Sequence, residues 1–176
     1  MIAMFVLSRD QTAQAVLPFD KNQFADELAK QQINQLYYSG QTGVGDELAL
    51  SAQSAVEGFD GQKMLEMKAV SASIKGKNGL EIEATAQFGQ YLYSEKLLKM
   101  TGAVLISSSS GYKLSSPELR ILIDGTFIFG EGPIEGLSPM GKIYAGKMEI
   151  MRKNAKAPMQ LWFGEKVVLD YEPSKI

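Results

Sequence analysis

Three stretches of the chain carry residue types that could do chemistry. Glu81 and Glu83 lie two apart and Glu131 and Glu135 four apart, and paired carboxylates can run acid–base or glycosidic reactions. Ser107 to Ser110 is a run of four hydroxyls ahead of Gly111, and Gly130-Glu131-Gly132 resembles the start of a phosphate-holding loop. Each meets an obstacle in the same sequence. The chain has no histidine and no cysteine, which removes the commonest general base, serine–histidine triads, thiol chemistry and thiolate metal sites. Glu81 and Glu83 alternate with Leu80, Ile82 and Ala84, so they share the hydrated face of a strand, where nothing raises a carboxyl pKa. The serines fit a polar hairpin loop, and Gly130-Glu131-Gly132 lies between strands with no helix after it, unlike a dinucleotide or phosphate loop. The residues argue against an enzyme, and no cofactor is expected.

Binding is the remaining option. Lys and Arg number 18 against 20 Asp and Glu, a net charge of −2 with the signs interspersed, which lacks the footprint of a sequence-independent nucleic-acid binder. Lys75, Lys77, Lys96 and Lys99 are either contacts for an anionic head group or ordinary hydrated lysines. Nine methionines, among them Met64, Met67, Met100, Met140, Met148 and Met159, supply either a pliable apolar lining or core filler.

The elements that would position these residues follow a repeat. Gly45, Gly79, Gly111 and Gly141 each open a short amphipathic stretch, at steps of 34, 32 and 30 residues; Gly102, Gly132 and Gly164 keep steps of 30 and 32 within the second apolar stretch of each unit. A period of this size marks stacked supersecondary units. Inside the units apolar residues alternate with polar ones, as in Leu80, Ile82, Ala84, Ala86 and Phe88 against Glu81, Glu83, Thr85 and Gln87, the pattern of half-buried antiparallel strands. The phase slips between Ala69 and Val70 and between Ala145 and Met148, where a bulge or corner must absorb it. Pro117 must start a strand or lie on an edge. The sum is about a dozen short strands joined by glycine turns, compatible with a jelly roll, a curved sandwich or a β-solenoid.

The N-terminus differs. Met1 to Leu7 is an apolar run too short to span a bilayer, which takes about 20 residues by helix; it is either an ordinary greasy N-terminus or the tail of a membrane helix. Asp20 and Gln23 are spaced as a capping box with Phe24 and Leu28 on one face, predicting a short helix over 20–32 that is either a connector or a surface helix at the domain edge.

Taken in order, Gly45 with Leu48-Ala-Leu-Ser-Ala, Gly79-Leu-Glu-Ile-Glu-Ala, Leu98-Lys-Met-Thr-Gly102-Ala-Val, Gly111-Tyr-Lys-Leu-Ser-Ser, Ile123-Asp, Gly132-Pro and Gly141-Lys-Ile-Tyr-Ala resemble the LptC family, the inner-membrane-associated component of the lipopolysaccharide export bridge. The resemblance covers roughly residues 36–171. It implies an all-β, twisted, open β-jelly roll over residues 37–172, preceded by a membrane-proximal segment and connector helix over residues 1–36. Its apolar interior would accept the acyl chains of lipopolysaccharide from the inner-membrane ABC transporter and hand them to a periplasmic β-jelly-roll bridge protein. The protein would work in the periplasm, at the inner membrane, although only Met1 to Leu7 could be a remnant of the family's N-terminal membrane helix. The lipid groove would be lined by an inward stripe of Ile82, Phe88, Leu98, Met100, Val104, Leu114, Ile121, Phe127, Phe129, Ile143 and Phe163, with Gly45 and Gly132 at its mouth. The last strand, Gln160 to Leu169, with Leu161, Phe163, Val167 and Leu169, is expected to dock the bridge protein, and Leu36 to Ala52 the transporter. The alternatives are a repeat β-solenoid scaffold or adhesin-like protein without lipid transfer and, behind it, a carbohydrate-active sandwich enzyme.

Overall fold

A computed structural model describes residues 33–58, 63–124, 127–152 and 157–171. The predicted helix over 20–32 and the apolar run Met1 to Leu7 lie outside the described residues. Ten strands follow in chain order: β1 (Ile33–Gln41), β2 (Glu47–Glu57), β3 (Met64–Lys75), β4 (Glu81–Leu92), β5 (Leu97–Ser108), β6 (Lys113–Leu122), β7 (Phe127–Ser138), β8 (Gly141–Arg152), β9 (Met159–Gly164) and β10 (Val168–Tyr171). They form one open antiparallel sheet in which β1 to β8 are ordered as they occur in the sequence, and β8 pairs with both β9 and β10 along its outer edge. No ladder among the described residues is parallel, which excludes the β-solenoid.

The repeat is the hairpin pair. Gly45, Gly79 and Gly111 close turns of one chemistry: the glycine N–H donates to the carbonyl three residues back (Thr42, Gly76, Ser108), and that residue's N–H donates to the carbonyl following the glycine. This is a type I turn ended by a left-handed residue, and the three glycines take φ values of +82°, +81° and +94°. With the β7–β8 turn at Gly141, all four lie at the same end of the sheet.

The other glycines of the repeat do different work, and the strands are accordingly fewer and longer than expected, β1 to β8 running 9 to 12 residues. Gly102-Ala103 in β5 and Gly132-Pro133 in β7 are bulges inside strands, where the ladders to both neighbours change register. They belong to a line of irregularity across the whole sheet. Gln35, Ala69, Gly102, Ala103 and Gly132 on this line have positive φ, Pro117 withholds a donor on it, and the alternation of buried residues is interrupted there in each strand from β1 to β8. In β3, β4, β6 and β8 the next buried residue comes three positions on instead of two, from Met67 to Val70, Ala86 to Gly89, Ser116 to Leu119 and Ala145 to Met148. In β5 and β7 it comes four on, from Met100 to Val104 and Gly130 to Ile134. The expected slips at Ala69 and at Gly146 are two points on this crease.

The crease is what lets one sheet bury its own face. Leu98, Met100, Val104 and Met148 are 0 % exposed, although an open sheet is a single layer. The sheet folds along the crease into two wings: a turn wing ending in the four glycine hairpins and a far wing ending in the opposite loops, with one apolar cluster between them. Facing layers about 10 Å apart interdigitate in this way in sandwiches.

The burial pattern also corrects the inward stripe. Phe88 follows the crease residue Gln87, so it points outward and is 51 % exposed. Phe127 and Phe129 flank the buried Ile128 and lie outside, stacked at 6.0 Å and 10°. Replacing Leu98 with alanine should therefore cost about 2–5 kcal/mol in urea unfolding, whereas Phe127→Ala should cost about 1 kcal/mol; equal losses would mean that the faces are assigned wrongly.

Candidate functional site

The interior is the first candidate. Ile82, Leu98, Met100, Val104, Leu114, Ile121 and Ile143 meet in one cluster and none is more than 6 % exposed. Phe163 on β9 packs half-buried against it. The structure therefore holds the apolar face closed, and two depressions among the described residues lie elsewhere. One, of about 420 Å³, lies mainly on the outer face between Thr85, Leu105, Ser107, Lys113, Ser115 and Glu135; the other, of about 650 Å³, lies where the crease meets β8, between Gly132, Pro133, Tyr144, Gly146, Glu165 and Lys166.

The wings meet opposite the crease along a lip. In the turn that ends at Gly45, Asp46 is 0 % exposed and its carboxylate pairs with the guanidinium of Arg152, the last residue of β8. The turn holds Asp46 from behind: its N–H donates to Thr42 Oγ1 at 3.0 Å, and Oδ1 accepts from the backbone N–H of Lys77 at 3.4 Å in the neighbouring hairpin. Further along, Tyr112 in the β5–β6 turn reaches across to the ring of Phe163, 6.2 Å between centroids. Gly45 thus stands at the lip, where a Cβ would come within 2.6 Å of Lys77 Nζ. Gly132 does not; it sits in the crease with φ +96°, and a Cβ there would overlap the ring of Pro117.

The edges are the second candidate. Among the described residues, β1 is paired on one side only, with β2. On the other, the expected single strand Gln160 to Leu169 is two strands, broken at Glu165 and Lys166, whose φ values are +60° and +55°. The break continues the crease, since the Gly146 N–H donates to the Glu165 carbonyl. Leu161 and Phe163 on β9 turn inward, whereas Val167 and Leu169 are exposed beside Tyr171. Trp162, the chain's sole tryptophan, is 57 % exposed on β9.

The residues first weighed for catalysis lie on the outer face or in turns. Glu81 and Glu83 are exposed, Glu83 accepting a 3.4 Å hydrogen bond from Ser71. Ser109 and Ser110 form the polar hairpin tip, where Ser109 Oγ accepts from the Glu81 N–H. Glu131 lies directly across from Glu118, and this like-charge pair is bridged by Arg120, which contacts Glu118 at 2.7 Å and Glu131 at 3.2 Å while lying 5.9 Å from the centroid of Phe129. Lys99 adds a 3.0 Å contact to Glu118, so this lysine is committed to the fold. Partial burial works against the charge of Glu118, but hydrogen bonds from Lys99 and Arg120, with their charges, outweigh it and hold the carboxyl below its usual range. A depressed carboxyl stabilises the fold above its unfolded pKa and loses that contribution as pH falls through the folded value. Glu118→Gln should therefore lower the melting temperature near neutrality and flatten its acid limb, the two proteins converging below about pH 4; parallel curves would show that the cluster contributes nothing.

Comparison with known proteins adds the last element. No curated protein matches the chain, but the sequence pattern of the family described as "Lipopolysaccharide-assembly, LptC-related" matches residues 43–160, from the lip turn through β9's first residues, most of the folded sheet. The chain belongs to the LptC family and is a lipopolysaccharide-transport component.

Proposed function

We propose that the protein carries lipopolysaccharide by taking its acyl chains between the two wings, receiving them from the inner-membrane ABC transporter and passing them to a periplasmic β-jelly-roll bridge protein. The observation that carries this reading is a continuous apolar interior enclosed by one folded sheet rather than by two separate layers. Such an interior is bounded on one side by a crease and on the other by a lip held through side chains, so it can be entered without breaking a ladder. The role is passive. The chain binds and guides hydrocarbon, and the driving energy comes from ATP hydrolysis in the transporter.

The same reading gives the edges their use. An unpaired strand edge is a template for β-augmentation. β1, with β2 through Ala52 behind it, is the edge for the transporter's periplasmic parts, and β9 with β10 is the edge for the bridge protein. Because the crease breaks the second edge in two, a docking strand meets β9 and β10 as separate ledges. The chain works in the periplasm at the inner membrane; no helix among the described residues is long and apolar enough to cross a bilayer.

The test is a photo-reactive phenylalanine placed at Phe163, half-buried against the interior, and in a second protein at Phe129 on the outer face. In membranes holding an ATP-fuelled transporter, lipopolysaccharide adducts should form at position 163 in an ATP-dependent way and stay at background at 129. Adducts at 129 alone would rule out transport through the interior.

A further inference from the structure

The Asp46–Arg152 contact joins residues 106 apart in sequence and ties the tip of the turn wing to the tip of the far wing. It is an unusual seal for an apolar interior. Both side chains are buried, 0 % and 8 % exposed, and among the described residues Arg152 Nε is buried with no hydrogen-bond partner. Withdrawing two charges from water is expensive, and an apolar pair of like size in the same place is often as stable or more stable. Stability alone does not account for a charged lip.

Reversibility does. If the lip were apolar, parting the wings would put its side chains into water at a cost that grows with their area. With an ion pair, parting rehydrates both charges, and Arg152 Nε gains the partner it lacks in the closed form. Opening is then opposed by the loss of one pairing and assisted by the recovery of hydration, which leaves closed and open forms closer in free energy. The neighbouring geometry suits such a device. Asp46 is held through its backbone N–H by Thr42 of its own turn and through its carboxylate by the Lys77 N–H of the neighbouring hairpin, so the carboxylate stays put when the guanidinium leaves. Arg152 ends β8, so its side chain can swing without disturbing a ladder.

We infer that Asp46 and Arg152 form a reversible latch at the lip of the folded sheet, closing the empty interior and releasing into hydrated charges when acyl chains enter. The inference rests on the lipid-carrying reading above and specifies how the closed interior becomes accessible. Both are positioning residues; neither needs to touch the lipid.

The double variant Asp46→Asn with Arg152→Met replaces the pair by a neutral seal. It should melt no lower than the unaltered protein, yet form lipopolysaccharide adducts at a photo-reactive Phe163 about tenfold more slowly. A purely structural contact would move stability and uptake in the same direction. The single variant Asp46→Asn strands the buried guanidinium and should loosen the lip, raising the fluorescence of the apolar dye N-phenyl-1-naphthylamine several-fold. Should the double variant melt early, cysteines at positions 46 and 152, the only ones in the chain, can be joined by a short thiol-cleavable bis-maleimide; adducts should vanish when the bridge is intact and return when it is cut. Uptake at the unaltered rate by a stably folded double variant or by the bridged protein overturns the latch and leaves the lipid-carrying reading standing. Absence of adducts in the unaltered protein overturns that reading itself.

Discussion

A β-strand that alternates apolar and polar residues presents one apolar face, and a flat, open sheet of such strands can bury that face only against something else. This chain escapes the constraint by interrupting the alternation once in each strand from β1 to β8 and folding there, on a line that crosses the sheet from Gln35 to Gly146 and continues to Glu165. The sheet thereby becomes both layers of its own sandwich. Left-handed residues, a proline and two bulges lie along the bend, spread over several of the strands from β1 to β8. All else depends on that line: the buried cluster exists because the wings face each other, the lip exists because the wings end somewhere, and the last strand is two strands because the line runs through it.

The two faces divide the chemistry. Inside, Leu, Ile, Val, Ala and Met pack with almost no polar group except at the rim. Outside, Phe127 and Phe129 stack on one another with Arg120 over the Phe129 ring, and the like charges of Glu118 and Glu131 are reconciled through the same guanidinium. A face with such pairing is stable in water without a partner, as the proposed use of the interior and the edges requires.

Much of this was legible in the sequence. The glycine repeat registers because a type I turn ended by a left-handed residue needs glycine each time the meander returns, and the resulting period is two strand lengths plus two turns. The slips in β3 and β8 show because the apolar alternation visibly breaks there. In β4 the break is masked, since Phe88, large and apolar, continues the upstream rhythm although Gly89 is the residue that turns inward. In β5 and β7 the buried residues on either side of the bulge are four apart, so odd and even stay in step and nothing betrays the crease. The split between β9 and β10 shows only as Glu165, a charge at a position that the alternation of Phe163 and Val167 assigns to the inside. The pairing of Asp46 with Arg152 leaves no local trace at all: each is a charged residue beside a turn or strand end, and only the folded sheet brings them together.

Because every ladder joins β1 to β8 to the strand just before, backbone pairing needs no residue that has yet to emerge from a ribosome or a translocation pore. Each arriving hairpin can zip onto the growing edge, while closure across the crease waits until β8 delivers Arg152 to the turn made more than a hundred residues earlier. Local pairings of this kind are quick to form. A chain threaded from its N-terminus can therefore assemble as a flat template first and double over only at the end.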